Sequence, residues 1–199
     1  MKARIAVLVS GGGTNLQALL DAQLAGPLRS GEVVLVVSDQ PGAYALERAR
    51  SAGVETAVLA GDFEAGLRDL LEARNIDLVV LAGFMRILSA DFTADFDRRI
   101  INVHPSLIPA FCGKGFYGLR VHQSALDYGV KVTGATVHFV NEVPDGGEII
   151  AQKAVPVYPD DTPITLQRRV MEEAEWVLLP RACEMISQRL NKGATVECL

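Results

Sequence analysis

Between residues 5 and 103, five short and mostly aliphatic runs alternate with segments of helical periodicity. A strand that is apolar on both faces must be covered on both, and strands separated by helices run parallel. The runs are residues 5–9, 32–38 (EVVLVVS), 54–59, 77–82 (DLVVLA) and 99–103. Residues 15–25 read as a helix with Leu16, Leu19, Leu20 and Leu24 on one face. Residues 43–52 form a second helix stopping at Gly53, and residues 63–74 a third, amphipathic one. The pattern predicts a doubly wound α/β fold with a mostly parallel sheet and helices on both faces. After about residue 130 it changes. Residues 133–140 (TGATVHFV) and 148–157 read as an antiparallel extension of the C-terminal half. Residues 162–191 read as mostly helix, opening at Thr162-Pro163. A chain of 199 residues without repeat or low-complexity stretch is expected to form one domain. Its residues 1–100 would make a Rossmann-like phosphate-binding half and residues 101–199 a catalytic half.

Hydrophobic residues make up 49% of the chain, enough for a substantial core and too many for a disordered protein. The net charge of -5, with no run of Lys and Arg to follow a phosphate backbone, argues against a nucleic-acid partner. A small anion remains open, because backbone amides bind phosphate whatever the net charge. Cys112, Cys183 and Cys198 have no paired spacing and read as ordinary thiols, so neither disulfide nor metal is expected. The apolar run at residues 5–9 is too short for a signal-peptide core or a membrane span. A cytoplasmic protein with no membrane partner is expected, and the sequence carries no signal for oligomeric state.

Ser10-Gly11-Gly12-Gly13-Thr14-Asn15 joins the first strand to the first helix. Glycines there let backbone N–H groups approach a ligand at a helix N-terminus, which suits a phosphate. The dinucleotide fingerprint fails, since Leu16 stands where its third glycine belongs, and the lysine of a P-loop is missing. A monophosphate fits the turn better than a dinucleotide, and a tight turn with no ligand is the alternative. Asp39, after the second strand, is either a ribose-binding acid or a solvated turn residue.

Asn102 and His104 sit two apart at the end of a strand, so both side chains share one face where ligands of open α/β sheets bind. Pro105 and Pro109 stiffen the loop that follows. An amide beside an imidazole suits acyl transfer, the amide donating to an oxyanion and the imidazole moving a proton. Taken alone, the pair also fits a structural strand end. Asp145, in a glycine-rich loop, is an acid that would orient His104, or a turn aspartate.

The segments SGGGTN, LAGFMRIL, INVHPSLIPAF, GATVHFV and PDGGEII, in this order over nearly the whole chain, resemble the glycinamide ribonucleotide transformylase family of folate-dependent enzymes. The resemblance implies a formyltransferase fold. It also implies transfer of the formyl group of 10-formyltetrahydrofolate, as co-substrate, to the amine of glycinamide ribonucleotide, with no metal. Asn102, His104 and Asp145 match the family's catalytic set. Gly11, Gly12, Gly13, Thr14 and Asn15 match its ribonucleotide phosphate site, and Glu175 resembles a substrate-contacting glutamate on the late helix. Met85, Arg86, Ile87 and Leu88 match a folate-pocket segment, as do Val140, Asn141, Glu142, Val143 and Pro144. The element from Asn102 to Pro109 also occurs in the wider formyltransferase superfamily, so it specifies the chemistry better than the acceptor.

Other readings of these residues stay open. Met85, Ile87 and Leu88 fit plain core, Arg86 a solvated charge, and Glu175, beside Glu172 and Glu173, a charged helix face. His138 reads as a satisfied core or surface histidine, and His122 receives no role. Two departures from the family pattern stand out: a longer, glycine-rich stretch at residues 112–120, which would cap or reshape the acceptor side, and a one-residue shift upstream of Glu175. The rival activities are hydrolysis of formyltetrahydrofolate, whose enzymes carry an extra N-terminal domain, and formylation of an initiator tRNA, whose enzymes are longer and more basic. A non-catalytic phosphate-binding module would need the glycine turn but not Asn102, His104 and Asp145 together.

Overall fold

The structure, a computed structural model, describes residues 1–193, so Cys198 lies outside the described residues. Seven strands form one sheet in the order β3-β2-β1-β4-β5-β6-β7. The strands β1 (Ala3–Val9), β2 (Gly31–Ser38), β3 (Glu55–Val58), β4 (Leu78–Leu81) and β5 (Ile100–His104) pair in parallel. β6 (Val132–Phe139) and β7 (Ile149–Pro156) extend the sheet antiparallel beyond β5.

Strand alternation divides the apolar residues between two cores. Ile5, Val7 and Val9 of β1 enter one, Ala6 and Leu8 the other. The first core is covered by α1 (Thr14–Ala25), α2 (Tyr44–Ser51), α5 (Leu119–Tyr128), α6 (Pro163–Val170) and α7 (Trp176–Asn191). The second is covered by α3 (Phe63–Ala73) and α4 (Ala90–Asp95). Helices therefore lie on both faces, as the periodicity requires.

Three local results differ from the sequence expectation. Leu24 does not join the buried stripe of α1; it is exposed in the last turn, and Ala22 is buried with Leu16, Leu19 and Leu20. α4, six residues long, is too short to show a period. It is held by Ser89, whose side chain accepts the Phe92 N–H, and by complete burial of Phe92. The late helical region is interrupted by a π-helical turn at Met171–Glu175. At its start the expectation holds: Thr162 caps α6 and Pro163 occupies its first turn.

β1 and β4 lie side by side although the chain visits β2 and β3 between them, so the winding reverses at their carboxyl ends. Open α/β sheets hold ligands in that crevice. The Ser10 N–H, just past β1, donates to the Gly83 carbonyl, just past β4, at 3.2 Å. No helix among the described residues is long and apolar enough to cross a membrane.

β6 and β7 approach so closely that a Cβ on Gly134 would stand 2.0 Å from the Lys153 carbonyl oxygen. A Gly134→Val variant should lose about 1–3 kcal/mol or more through overpacking. Scanning calorimetry is expected to show a melting temperature several degrees lower; an unaltered transition would mean that the strands part at no cost.

Candidate active site

The antiparallel register of β6 on β5 puts His138 opposite Asn102 and Thr136 opposite His104. Asn102 and His104 line one cavity, as their two-residue spacing predicts. Asn102 Nδ2 lies 3.2 Å from His138 Nε2 and donates to Asp145 Oδ1 at 3.4 Å. His138 Nδ1 is 2.7 Å from the Phe139 carbonyl oxygen. A carbonyl only accepts, so the neutral ring carries its proton on Nδ1 and receives the Asn102 amide on Nε2. His104 Nδ1 faces Asp145 Oδ2 at 3.4 Å, and its Nε2 is 2.9 Å from the Phe111 carbonyl oxygen.

Asp145 is the centre of this group. Its Oδ2 accepts the Gly113 N–H at 2.8 Å, and its Oδ1 lies 3.6 Å from His138 Nε2. Burial, the largest single influence, would raise its pKa. The charge of His104 and the Gly113 N–H oppose it and hold the group below the ordinary carboxyl value. Burial lowers the pKa of His104 against the pull of Asp145. Asp145 and Phe111, the two partners of His104, both sit on left-handed backbone, at φ 57° and 51°. Such positions cost non-glycine residues roughly 1–3 kcal/mol and concentrate at functional sites. The loop after β5 is pinned by Thr136, whose hydroxyl donates to the Ser106 carbonyl at 2.7 Å and accepts the Ile108 N–H at 3.1 Å.

A cavity of about 490 Å³ surrounds the group. Thr14, Asn15 and Glu175 line one part, and Met85, Arg86, Ile87, Leu88, Val140, Asn141, Val143 and Pro144 line another. Glu142 departs from expectation: it is exposed in its loop and does not border the cavity. Gly11, Gly12 and Gly13 do not line it either, because they form the turn outside and leave the wall to the first side chains of α1. Met85 and Ile87 are exposed at the rim, so they are not core, whereas Leu88 is buried. Arg86 stacks over the Phe63 ring with 4.9 Å to its centroid.

The glycines differ in what requires them. Gly13 has φ 73°, and a Cβ there would stand 2.6 Å from Ala45 Cβ, so the tight turn alone demands it. A Cβ on Gly11 or Gly12 would meet nothing within 4 Å among the described residues. Asp39 accepts the Ser10 hydroxyl at 2.8 Å, and Ser10 Oγ in turn accepts the Met85 N–H at 3.0 Å. Asp39 thus braces the turn.

Glu175 is buried while Glu172 and Glu173 are exposed, so a charged helix face does not account for it. It ends the π-helical turn, which accommodates one more residue per turn than an α-helix allows. Asn15 Nδ2 donates to Glu175 Oε2 at 2.6 Å. Burial raises the Glu175 pKa to about 7, with the Asn15 hydrogen bond opposing.

Sequence reasoning missed two contributors, both histidines. His138 belongs to the polar group, a fact carried only by the β5–β6 register. His122, buried on α5, borders the cavity with Nδ1 unpartnered among the described residues, so all three histidines of the chain meet one cavity. The glycine-rich stretch lines the cavity with Gly113, Lys114, Gly115, Phe116, Tyr117 and Gly118. Among the described residues no group of three His, Cys, Asp or Glu is arranged to hold a metal.

Fold and site together define an α/β protein whose cavity, at the point where the winding reverses, is equipped for acyl chemistry. The chain belongs to the formyl transferase family, whose model matches residues 3–182. It is 40% identical over 184 residues to the phosphoribosylglycinamide formyltransferase of Haemophilus influenzae, covering 89% of this chain and 84% of that protein. It is 42% identical over 193 residues to the human trifunctional purine biosynthetic protein adenosine-3, covering 94% of this chain. The chain spans only 18% of that longer relative. The crystal structure of glycinamide ribonucleotide transformylase 1 from Symbiobacterium toebii matches at TM-score 0.87 and 44% identity, over 94% of this chain and 88% of that one.

Two buried titratable groups make stability depend on pH in opposite senses. Burial, aided by the charge of His104, lowers the His122 pKa from 6.5 to about 4. The unfolded chain then takes the proton first, so folded stability falls as pH drops through that window. Glu175, raised from 4.5 to about 7, contributes stability below 4.5 that is lost as pH rises to 7. Each effect is on the order of 3 kcal/mol and they oppose across the shared window. Relative to the native protein, His122→Gln should therefore lose stability as pH rises from about 4 to 6.5. Glu175→Gln should gain it from about 4.5 to 7. Melting temperatures measured against pH test this; parallel curves for all three proteins would contradict the assignment.

Proposed function

We propose that this chain transfers the formyl group of 10-formyltetrahydrofolate to the amino group of glycinamide ribonucleotide, a step of purine biosynthesis in the cytoplasm. The observation that carries the reading is the convergence of Asn102, His104, His138 and Asp145 between two differently built parts of one cavity. The glycine turn, Asn15 and Glu175 suit a phosphorylated ribonucleotide, and the apolar rim of Met85, Ile87, Val140 and Val143 suits a flat folate ring. Family membership and the names of the relatives support the same reaction.

The co-substrate supplies a formyl carbon bound to nitrogen. In the reaction the acceptor amine forms a new C–N bond to that carbon, the old C–N bond breaks, and one proton passes from the amine to the departing nitrogen. Asn102 and His104 would supply donors to the oxyanion formed between these events. In the free protein those donors are engaged, Asn102 Nδ2 with His138 and Asp145, His104 Nε2 with the Phe111 carbonyl. Serving the oxyanion therefore requires Asn102 to exchange one internal acceptor for the ligand, and such tightening on binding is ordinary for catalytic groups. His104, flanked by a carboxylate and a carbonyl that both accept, is surrounded as an imidazolium would need. Its burial favours the neutral ring, and this opposition poises it to take a proton and release it. Asp145 holds the positive form in place.

A coupled spectrophotometric assay with 10-formyltetrahydrofolate, run with and without glycinamide ribonucleotide, tests the reading. Turnover that requires the ribonucleotide is expected; folate consumption without it would indicate hydrolysis instead. His104→Ala should reduce transfer by roughly 10²–10⁴-fold while folate still binds. Native-like turnover in that variant would remove His104 from the chemistry.

A further inference from the structure

The glycine turn owes its shape to α2, packed against it from outside the cavity. The Gly11 carbonyl accepts the Ala45 N–H at 3.0 Å, and the Gly12 carbonyl accepts Arg48 Nε at 2.8 Å. In a planar trans peptide the N–H points opposite to the carbonyl of the same unit. With both carbonyls held toward α2, the N–H groups of Gly12 and Gly13 must point away from it. Neither donates a hydrogen bond within the described residues. The surroundings of Gly12 are open, whereas Gly13 touches Ala45 so closely that no side chain fits between them. Two adjacent unspent backbone donors at the start of α1 form a concavity for an anion.

We propose that Arg48 is a positioning residue for this anion site. Its Nε is spent on Gly12, its Nη1 donates to Gln17 Oε1 at 3.0 Å, and its guanidinium lies 5.0 Å from the Tyr44 ring centroid. Gln17 is on α1, so one planar side chain ties the turn to the helix it opens. Arg48 therefore acts through the peptide unit it orients. The fork geometry is what the task demands: a lysine offers a compact charge but not two donors in one plane. The ligand class is a phosphate monoester, which is the acceptor's phosphate on the function proposed above.

Titration calorimetry with ribose 5-phosphate on the folate-free protein tests the role directly. Native protein is expected to bind, Arg48→Met to bind at least roughly 10-fold more weakly, and Arg48→Lys to recover only part of the loss. Equal affinity in Arg48→Met, complete recovery in Arg48→Lys, or no binding by the native protein would each overturn the proposal. Turnover supplies a second readout that a general loss of folding would not mimic. With the phosphorylated acceptor, kcat/KM should fall in Arg48→Met. With the same acceptor lacking its phosphate it should stay at the native value, and an equal fall for both acceptors would reduce Arg48 to a structural role. Arg48-dependent sugar-phosphate binding without formylation by the native protein would sink the proposed function and leave this inference standing.

Discussion

Antiparallel pairing of β6 against β5 is the contact on which the site depends. A parallel strand in that place would bring a different set of side chains beside Asn102. The observed register instead sets His138 across from it and Thr136 across from His104. Thr136 then holds the loop that carries Phe111 back to His104, and β6 leads into the turn that carries Asp145. One ladder thus brings an amide, two imidazoles and a carboxylate together. The backbone strain at Phe111 and Asp145 persists because the ladder and the Thr136 hydrogen bonds over-determine the loops.

The cavity keeps titratable groups in a place where burial disfavours charge. Asp145 remains an anion because it collects donors, the Gly113 N–H among them. Glu175 has one donor among the described residues, Asn15, and that is too little to offset its burial, so its pKa rises. His122 has no partner at Nδ1 among the described residues and yields to desolvation. The same low-polarity surroundings act on all three, and the number of hydrogen bonds each receives decides the outcome. A site of this kind holds one fixed negative charge beside groups that neutralise readily, which suits moving a single proton between two nitrogens.

Much of this was legible along the chain. The two-sided apolar runs announced the buried parallel strands, and the shift in pattern near residue 130 announced the antiparallel pair, because strand burial writes directly into residue type. Asn102 and His104 could be placed on one face from their spacing alone. The motifs indicated the reaction family, and the family model and relatives agree with that. What could not be read were the partners. His138 looked like an isolated histidine because strand register is set by pairing across the sheet. Glu175 looked like one more charge in an acidic helix because only the π-helical turn rotates it inward, away from Glu172 and Glu173.

Local chemistry in the sequence determined the elements, their order, the glycine turn and the candidate strand-end pair. Propensity, periodicity and the conformational freedom of glycine act over a few residues and leave their mark in neighbouring positions. Tertiary structure alone decided which histidine meets Asn102, that the stretch after Cys112 delivers a backbone N–H to Asp145, and that α2 turns the glycine amides away from itself. Those contacts join residues 36, 32 and 36 positions apart. Their geometry follows from how the packed sheet and helices meet, and no local pattern encodes that.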